Sequence, residues 1–301
     1  MNDAVKRCEG GRELIHGAKQ GTFDQPLITI ITSTYNAAKD LHWTLDSIRS
    51  QTYSNIQWII ADGGSKDESV ELFKQNEDVI DYWFSEPDKG IYDAWNKALK
   101  YAKGDWIQFI GAGDELADSD TLQQVANHLD GAFPTYEIAY GQIEVISEKN
   151  RRLIEKIATP WESMRGKWFG IRPVLPVHPE VYHHKSIFKN IDFTQFDIAG
   201  DSYIVLSSVL YKDPLYLDFL IDRMPLGGVS TNPKNIIKMY DELLKINDIL
   251  DIKVPVFIRI KEFLKTYLKF FIMNYFGSKV FFVFGDGFRF IRGKSSKWLV
   301  K

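Results

Sequence analysis

The chain has 301 residues, 45% hydrophobic and 26% charged, which is enough for one large folded domain with an appendage or for two domains. Its single cysteine, Cys8, excludes an internal disulfide and a cysteine-based metal site, and suits a reducing compartment. The net charge of −3 is uneven: residues 253–301 hold eleven Lys and Arg against two acidic residues, a balance of +9, so the remainder carries −12. No apolar segment of a signal peptide precedes residue 27, and no uninterrupted apolar run reaches the roughly 18 residues of a membrane span.

The first elements form a strand–helix–strand unit. Residues 1–25 are polar and lack sustained periodicity, which predicts a loose leader. The apolar runs Leu27–Thr32 and Ile56–Ala61 predict two strands buried on both faces, as parallel strands are. Between them, apolar residues recur at helical spacing over Leu41–Ile48. Because such a crossover is right-handed, the polar residues that follow both strands are expected at one edge of the sheet.

A third group of elements ends at the same edge. Tyr82–Ser85 predicts a short strand, residues 91–102 a helix, and the first half of Trp106–Glu115 a buried strand followed by Gly-Ala-Gly. Small residues there let a ligand approach the backbone, and ligands of open α/β sheets bind at this carboxyl edge. Neither a Walker A loop nor the dinucleotide fingerprint is present, which argues against a P-loop kinase and an NAD enzyme.

Four blocks of sequence form a further pattern: Ile30–Asn36, Ser47–Asp67, Ser85–Ala98 and Gly104–Leu116. In this order and at this spacing, they resemble the family 2 glycosyltransferases of GT-A fold, and most closely the bacterial enzymes that build exopolysaccharide, colanic-acid-like and O-antigen repeat units. The resemblance covers about residues 27–230. It implies an α/β fold with a mainly parallel nucleotide-binding sheet flanked by helices, in a domain over 26–230 with a donor half at about 26–116 and an acceptor half at about 117–230.

The resemblance also implies a nucleotide-diphosphate sugar donor, expected to be a UDP-sugar. The matching donor-binding positions are Thr34, Tyr35, Asn36, Asp62, Asp88, Lys89 and Asp93. Asp62 would accept from the uracil imide or a ribose hydroxyl, and its alternative is a turn-forming aspartate. Lys89 would pair with phosphate, or it is an exposed turn lysine.

The metal site departs from the family pattern. Where the family has Asp-x-Asp, this chain has glycines, and only the following Asp114 remains. By the resemblance, Asp114 holds Mg²⁺ or Mn²⁺ together with donor phosphates, and His178 contacts the metal or the diphosphate. The alternatives are a helix-capping Asp114 and a structural His178. His183 and His184 are expected at the surface.

The acceptor half supplies the catalytic position. Asp201 matches the family's general base, Asp197 is the second choice, and a helix N-cap is the alternative role of Asp201. The implied reaction is an inverting transfer to a hydroxyl of a lipid-linked glycan acceptor in cell-surface polysaccharide synthesis. Gly227–Ser230 resembles a stretch that closes over the donor. A non-catalytic nucleotide-sugar-binding scaffold and a sugar-1-phosphate nucleotidyltransferase stay open as rival functions.

Residues 231–301 predict a helical, basic and aromatic extension beyond the resemblance. Apolar residues share one face from Phe257 to Tyr275, with Lys261 and Lys265 on a flank. This pattern predicts binding to an anionic membrane surface, and therefore a cytoplasmic protein held peripherally on the inner face of the cell membrane. The acidic remainder of the chain argues against nucleic acid as a partner. Packing on the catalytic domain or on a partner in a homo-oligomer is the alternative.

Overall fold

A computed structural model describes residues 7–22, 25–228, 232–291, 293, 296 and 297. The strands are β1 (Cys8–Gly10), β2 (Ile28–Thr34), β3 (Ile56–Asp62), β4 (Tyr82–Ser85), β5 (Trp106–Gly111), β6 (Glu115–Leu116), β7 (Ile138–Ile146), β8 (Leu153–Ile157), β9 (Trp168–Phe169), β10 (Arg172–Pro173), β11 (Val181–His184) and β12 (Leu215–Pro225). The helices are α1 (Glu13–His16), α2 (Leu41–Arg49), α3 (Ser69–Gln75), α4 (Ile91–Leu99), α5 (Thr121–Leu129), α6 (Trp161–Met164), α7 (Gly200–Val209), α8 (Ile236–Ile249) and α9 (Val256–Ile291).

Ten of the described strands form a large mixed sheet in the order β1-β4-β3-β2-β5-β11-β7-β12-β6, with β8 beside β7, and β9 and β10 pair separately. Strands β4, β3, β2 and β5 are mutually parallel, so their carboxyl ends meet at one edge, as predicted. Strand β11 is antiparallel to both β5 and β7 and joins the two halves of the sheet. The predicted α/β fold, with a mainly parallel central part of the sheet flanked by helices, is confirmed.

Side chains alternate across the sheet and build one apolar cluster on each face. In β2, Ile30 packs with Leu41 and Leu45 of α2, while its neighbour Ile31 packs on the other face with Trp95 of α4. All of these side chains are buried. The near-continuous apolar runs of β2 and β3 follow from burial on both faces. Helices therefore pack on both faces of the sheet.

Two predictions about local structure are wrong. Part of the leader expected to be loose forms β1, which pairs with β4 and covers the backbone groups of an edge strand. His183 and His184, expected at the surface, lie in β11 at the centre of the sheet, where the exposed fractions of their side chains are 0% and 7%. Burial lowers the pKa of both imidazoles, so both are neutral near pH 7.

The last two helices lie beyond the sheet. Ile246 of α8 is fully buried in the core cluster that contains Trp95, so α8 packs on the body of the protein. Helix α9 is interrupted at Gly277, whose φ of +77° is not helical. Many of its large apolar side chains are exposed. Within the described residues, no helix combines the length and apolar character needed to cross a bilayer.

Candidate active site

A cavity of about 410 Å³ opens at the carboxyl edge of β2 and β5. Its walls come from the ends of these strands, the turn after β5, the start of α4, the His178–Glu180 3₁₀ turn, the start of α7 and the end of β12. Its volume is typical of small-molecule sites, and its position is the one at which open α/β sheets bind ligands. Asp114, His178 and Asp201, which lie far apart in the sequence, line this cavity together. A second cavity, of about 550 Å³, lies near the start of β3 and holds none of the predicted site residues.

Asp114 lies in the turn that follows β5, and local hydrogen bonds fix its position. Its Oδ2 accepts the N–H of Gly111 at 2.6 Å, and its backbone carbonyl accepts the hydroxyl of Thr44 at 2.8 Å. Gly113, where the family pattern has a carboxylate, has a φ of +101°, which favours glycine. Burial raises the pKa of Asp114 to about 7, against the opposite effect of nearby Arg151.

His178 stacks on the indole of Trp95, with ring centroids 5.0 Å apart. Burial lowers its pKa to about 4, so the imidazole is neutral near pH 7. Its Nε2 is buried and has no hydrogen-bond partner within the residues that the structure describes. A neutral imidazole with an unpaired nitrogen can take a metal ion or a hydrogen-bonding ligand.

Asp201 is the second residue of α7, and its side chain is half-buried in the cavity wall. Its backbone N–H donates to the hydroxyl of Tyr92 at 3.3 Å. Asp197, the second choice for the general base, also lines the cavity, but its side chain is exposed and forms an ion pair with Lys238. The N-cap residue of α7 is Ala199, so Asp201 is not the cap.

The predicted nucleoside-binding residues lie beside the cavity, at the ends of β2 and β3. Asp62 is buried, and both of its carboxylate oxygens already accept hydrogen bonds within the protein. Its Oδ1 accepts from Thr34 Oγ1 at 2.8 Å, and its Oδ2 accepts from Ser85 Oγ at 2.6 Å. Tyr35 is 64% exposed, and the Asn36 side chain accepts the N–H of Lys66. These contacts support the turn-organising alternative for Asp62, while the exposed Tyr35 ring has room to contact a base.

The other three predicted donor residues lie at the start of α4. Asp88 lies next to Gly63, since a Cβ added to that glycine would be 2.6 Å from Asp88 Oδ2. Burial raises the pKa of the Asp88 carboxyl. Lys89 is exposed, and its backbone N–H donates to Asp93 Oδ2 at 3.1 Å. None of these three side chains lines the cavity itself.

Sequence reasoning missed several cavity residues. Arg151, at a φ of +58° in the turn after β7, donates to the carbonyl of Gly113 at 2.9 Å, pairs with Glu115 and covers the Trp43 ring. It is the only Lys or Arg among the described residues that line the cavity. Nothing in the sequence near Arg151 signals this contact. Further cavity residues that were not predicted are Ser33, Asp40, Tyr92, Trp95 and Glu148.

The side chains of the cavity supply only some of the ligands that a divalent cation needs. Asp114 offers a carboxylate and His178 a buried, unpaired nitrogen, and both side chains line the cavity. Across the described residues, no group of three His, Cys, Asp or Glu side chains could hold an ion alone. Mg²⁺ is commonly held by one or two carboxylates with substrate phosphates and water. These residues therefore fit an ion that arrives with phosphate oxygens. Gly227 and Gly228 also line the cavity, whereas Val229 and Ser230 lie outside the described residues.

Comparison with known proteins gives consistent matches. The model of the family described as glycosyl transferase family 2 matches residues 29–193. An uncharacterized glycosyltransferase of Mycobacterium tuberculosis is 28% identical over 211 residues, which cover 69% of this chain and 78% of that protein. A PGL/p-HBAD biosynthesis glycosyltransferase of Mycobacterium bovis is 36% identical over 121 residues, 39% of this chain and 47% of that protein.

Solved structures show the same fold. Residues 1–349 of TarS from S. aureus, in complex with UDP, align with a TM-score of 0.56 at 15% identity, covering 82% of this chain and 71% of that one. A mannosyltransferase from Pyrobaculum calidifontis, in complex with GDP-Man and Mn²⁺, aligns with a TM-score of 0.54 at 20% identity, covering 83% and 72%. At these identities the likeness concerns the fold.

Proposed function

The chain belongs to glycosyl transferase family 2, and we propose that this glycosyltransferase moves a sugar, with inversion, from a UDP-sugar to a hydroxyl of a lipid-linked glycan acceptor in cell-surface polysaccharide synthesis. The observation that carries the proposal is the convergence of Asp114, His178 and Asp201 on one cavity at the carboxyl edge of the sheet. The TarS complex with UDP and the mycobacterial biosynthesis glycosyltransferase support it by analogy.

Asp201 is the proposed general base. Its carboxylate accepts the proton of the acceptor hydroxyl as that oxygen attacks the anomeric carbon from the side opposite the diphosphate. The half-buried position at the cavity wall leaves Asp201 accessible to an acceptor. Asp197, the other candidate for the general base, is already paired with Lys238.

The donor is proposed to span the cavity and the neighbouring strand ends. The nucleoside contacts Tyr35, Asn36 and the turn that Asp62 organises. The donor also lies next to three residues at the start of α4: Asp88, Lys89 and Asp93. Thr34 holds Asp62 in place. This binding orients the anomeric carbon toward Asp201.

Asp114 and His178 are the proposed ligands of Mg²⁺ or Mn²⁺ beside the diphosphate. A bound divalent cation would neutralise the charge of the departing diphosphate. Arg151, fixed over the same turn by Gly113 and Glu115, adds a permanent positive charge to this side of the cavity.

Helix α9 is proposed to bind the surface of an anionic membrane, at the cytoplasmic face, where lipid-linked acceptors would be presented. Exposed apolar side chains of this helix include Phe257, Leu264, Leu268 and Phe271. Arg259, Lys261, Lys265 and Lys269 lie among them and complement anionic headgroups. Amphipathic helices with basic residues and aromatic groups bind in this way.

A donor panel with matched variants tests the proposed reaction. The full chain is incubated with Mn²⁺, UDP-, GDP- and dTDP-sugars and a membrane lipid extract, and both nucleoside diphosphate release and glycolipid product are measured. Asp201→Asn should lower the transfer rate roughly 10²- to 10⁴-fold while UDP binding persists. Asp197→Asn should keep most of the rate.

Each other outcome has a definite meaning. A near-normal rate for Asp201→Asn would refute its assignment as the base. UDP-sugar binding without release of UDP would indicate the non-catalytic scaffold. Release of pyrophosphate from a nucleoside triphosphate and a sugar 1-phosphate would indicate a nucleotidyltransferase.

A further inference from the structure

The carboxylate of Glu242, on α8, accepts three consecutive backbone N–H groups just before α7. Its Oε1 accepts from Asp197 at 3.0 Å, and its Oε2 accepts from Ile198 at 2.9 Å and from Ala199 at 2.8 Å. Glu242 is buried, with 9% of its surface exposed. Hydrogen bonds from N–H groups to an ionised carboxylate are roughly twice as strong as neutral ones.

These hydrogen bonds lie at the N-terminal end of α7. Helix α7 begins at Gly200, and its N-cap residue, Ala199, has no side-chain acceptor for the N–H groups that the first turn of a helix leaves unpaired. The negative charge of Glu242 also lies at the positive end of the α7 dipole. Of the three N–H groups that Glu242 accepts, only that of Ala199 belongs to the start of α7, and those of Asp197 and Ile198 precede the helix. A residue 41 positions past Asp201 thus fixes the segment that leads into α7.

Other residues on the same face of α8 hold the same segment. Lys238, one turn before Glu242, forms the ion pair with Asp197. Lys245, one turn after it, donates to the carbonyl of Gln195 at 3.1 Å and lies 5.3 Å from the centre of the Phe196 ring. Three successive positions of one helix face therefore contact the segment that leads into Asp201.

We propose that Glu242 is a positioning residue that holds Asp201 in the geometry for proton transfer, and that α8 thereby supports the active site from outside the cavity. The inference rests on the proposed function in taking Asp201 as the base. Glu242 acts through the backbone of Asp197–Ala199, and its described hydrogen bonds all go to this segment and not to the residues proposed to bind the nucleoside. Its loss should therefore affect kcat and leave donor binding intact.

Steady-state kinetics of three variants test this role. In Glu242→Ala, kcat should fall roughly 10²-fold, the scale expected when a catalytic group is displaced by about 1 Å, while the Kd for UDP stays unchanged. Glu242→Gln keeps one acceptor oxygen and should retain more activity than Glu242→Ala. Asp241→Asn, which removes the exposed carboxylate next to Glu242 on the same helix, is the matched control and should behave like wild type.

Amide hydrogen exchange of the same variants gives a second, activity-independent measurement. The amides of Asp197, Ile198 and Ala199 should exchange faster in Glu242→Ala and Glu242→Gln than in Asp241→Asn. An unchanged kcat in folded Glu242 variants, equal losses of kcat and UDP binding, or unchanged exchange at these amides would overturn the inference. If Glu242→Ala does not fold, Glu242→Gln decides by the same criteria. A wild-type chain inactive with every donor would instead refute the proposed function, and the exchange data would still decide the role of Glu242.

Discussion

The hydroxyl of Tyr92, on α4, accepts the backbone N–H of Asp201, at the start of α7, over 3.3 Å. The same hydroxyl donates to the carbonyl of Ile198 at 2.8 Å. Gly200 permits this approach, because a Cβ there would lie 3.0 Å from the Tyr92 ring. Burial raises the pKa of the phenol, so it stays protonated and able to donate. Helices α4 and α7 thus meet directly at the proposed base.

Replacing Tyr92 by Phe should weaken the contact between α4 and α7, because it removes the hydroxyl and keeps the ring. The ring stays, while the N–H of Asp201 and the carbonyl of Ile198 lose their partner, so the free energy of unfolding should fall by about 1–3 kcal/mol. The transfer rate should fall and UDP binding should persist. Urea unfolding and steady-state kinetics measure both effects. Tyr211→Phe, at a side chain 79% exposed, is the control. Equal behaviour of the two variants would contradict the proposed role of Tyr92.

The sequence predicts the parallel half of the sheet well, because its signals are local. Strand β4 was predicted with its observed limits, and β2 and β3 to within two residues, because strands buried on both faces are almost continuously apolar. Strand β11 was missed. Its Tyr-His-His sequence carries no burial signal, and only pairing with β5 and β7 places those side chains inside.

Residues of the candidate site can be predicted from the sequence where they belong to a motif. They cannot be predicted where the contact joins segments that are distant in the sequence. Asp114 and Asp201 were found by their motifs, and they line one cavity. Arg151 and Glu242 lie outside every motif, and each forms hydrogen bonds with backbone groups of a segment remote in sequence. For Asp62, sequence alone could not show that neighbouring hydroxyl and N–H groups occupy both carboxylate oxygens.

The transfer rate should depend on a divalent cation, and that cation should bind only together with UDP, because the protein offers few metal ligands. Chelation of divalent cations should lower the transfer rate roughly 100-fold or more, since Lewis-acid neutralisation contributes several kcal/mol. Calorimetry should detect Mn²⁺ binding in the presence of UDP but not with Mn²⁺ alone. Asp114→Asn should abolish the Mn²⁺-dependent part of UDP affinity, whereas Asp120→Asn, an exposed carboxylate outside the cavity, should not. Full activity in excess chelator would exclude a metal requirement.

Membrane binding should depend on charge as well as on apolar contact. Sedimentation should show the full chain bound to vesicles with anionic lipid, less to neutral vesicles, and less again at high salt. Changing Lys261 and Lys265 together to Glu should weaken binding more than roughly tenfold, because each basic residue contributes about 1 kcal/mol near anionic lipid. The same double reversal at Lys74 of α3 and Lys100 at the end of α4, both exposed, is the control. Equal loss in both variants would contradict α9 as the docking surface.

Asp222, on β12, should make stability fall as pH rises. Its side chain is fully buried, and neither carboxylate oxygen has a hydrogen-bond partner within the described residues. Burial, reinforced by Asp114 and Glu180, raises the pKa of Asp222 well above its usual value. The folded state therefore keeps a proton that the unfolded state releases above about pH 4, at a cost of at most about 1.4 kcal/mol per pH unit. This cost is absent below the pKa of Asp222 in the unfolded chain and grows as the pH rises toward its pKa in the folded protein.

Urea unfolding of two variants tests this pH dependence. Asp222→Asn does not titrate, so its stability relative to wild type should increase between pH 5 and pH 8. The control is Asp218→Asn, exposed on the same strand, which should show no such trend. A difference between Asp222→Asn and wild type that does not change with pH would show that Asp222 is ionised in the folded protein.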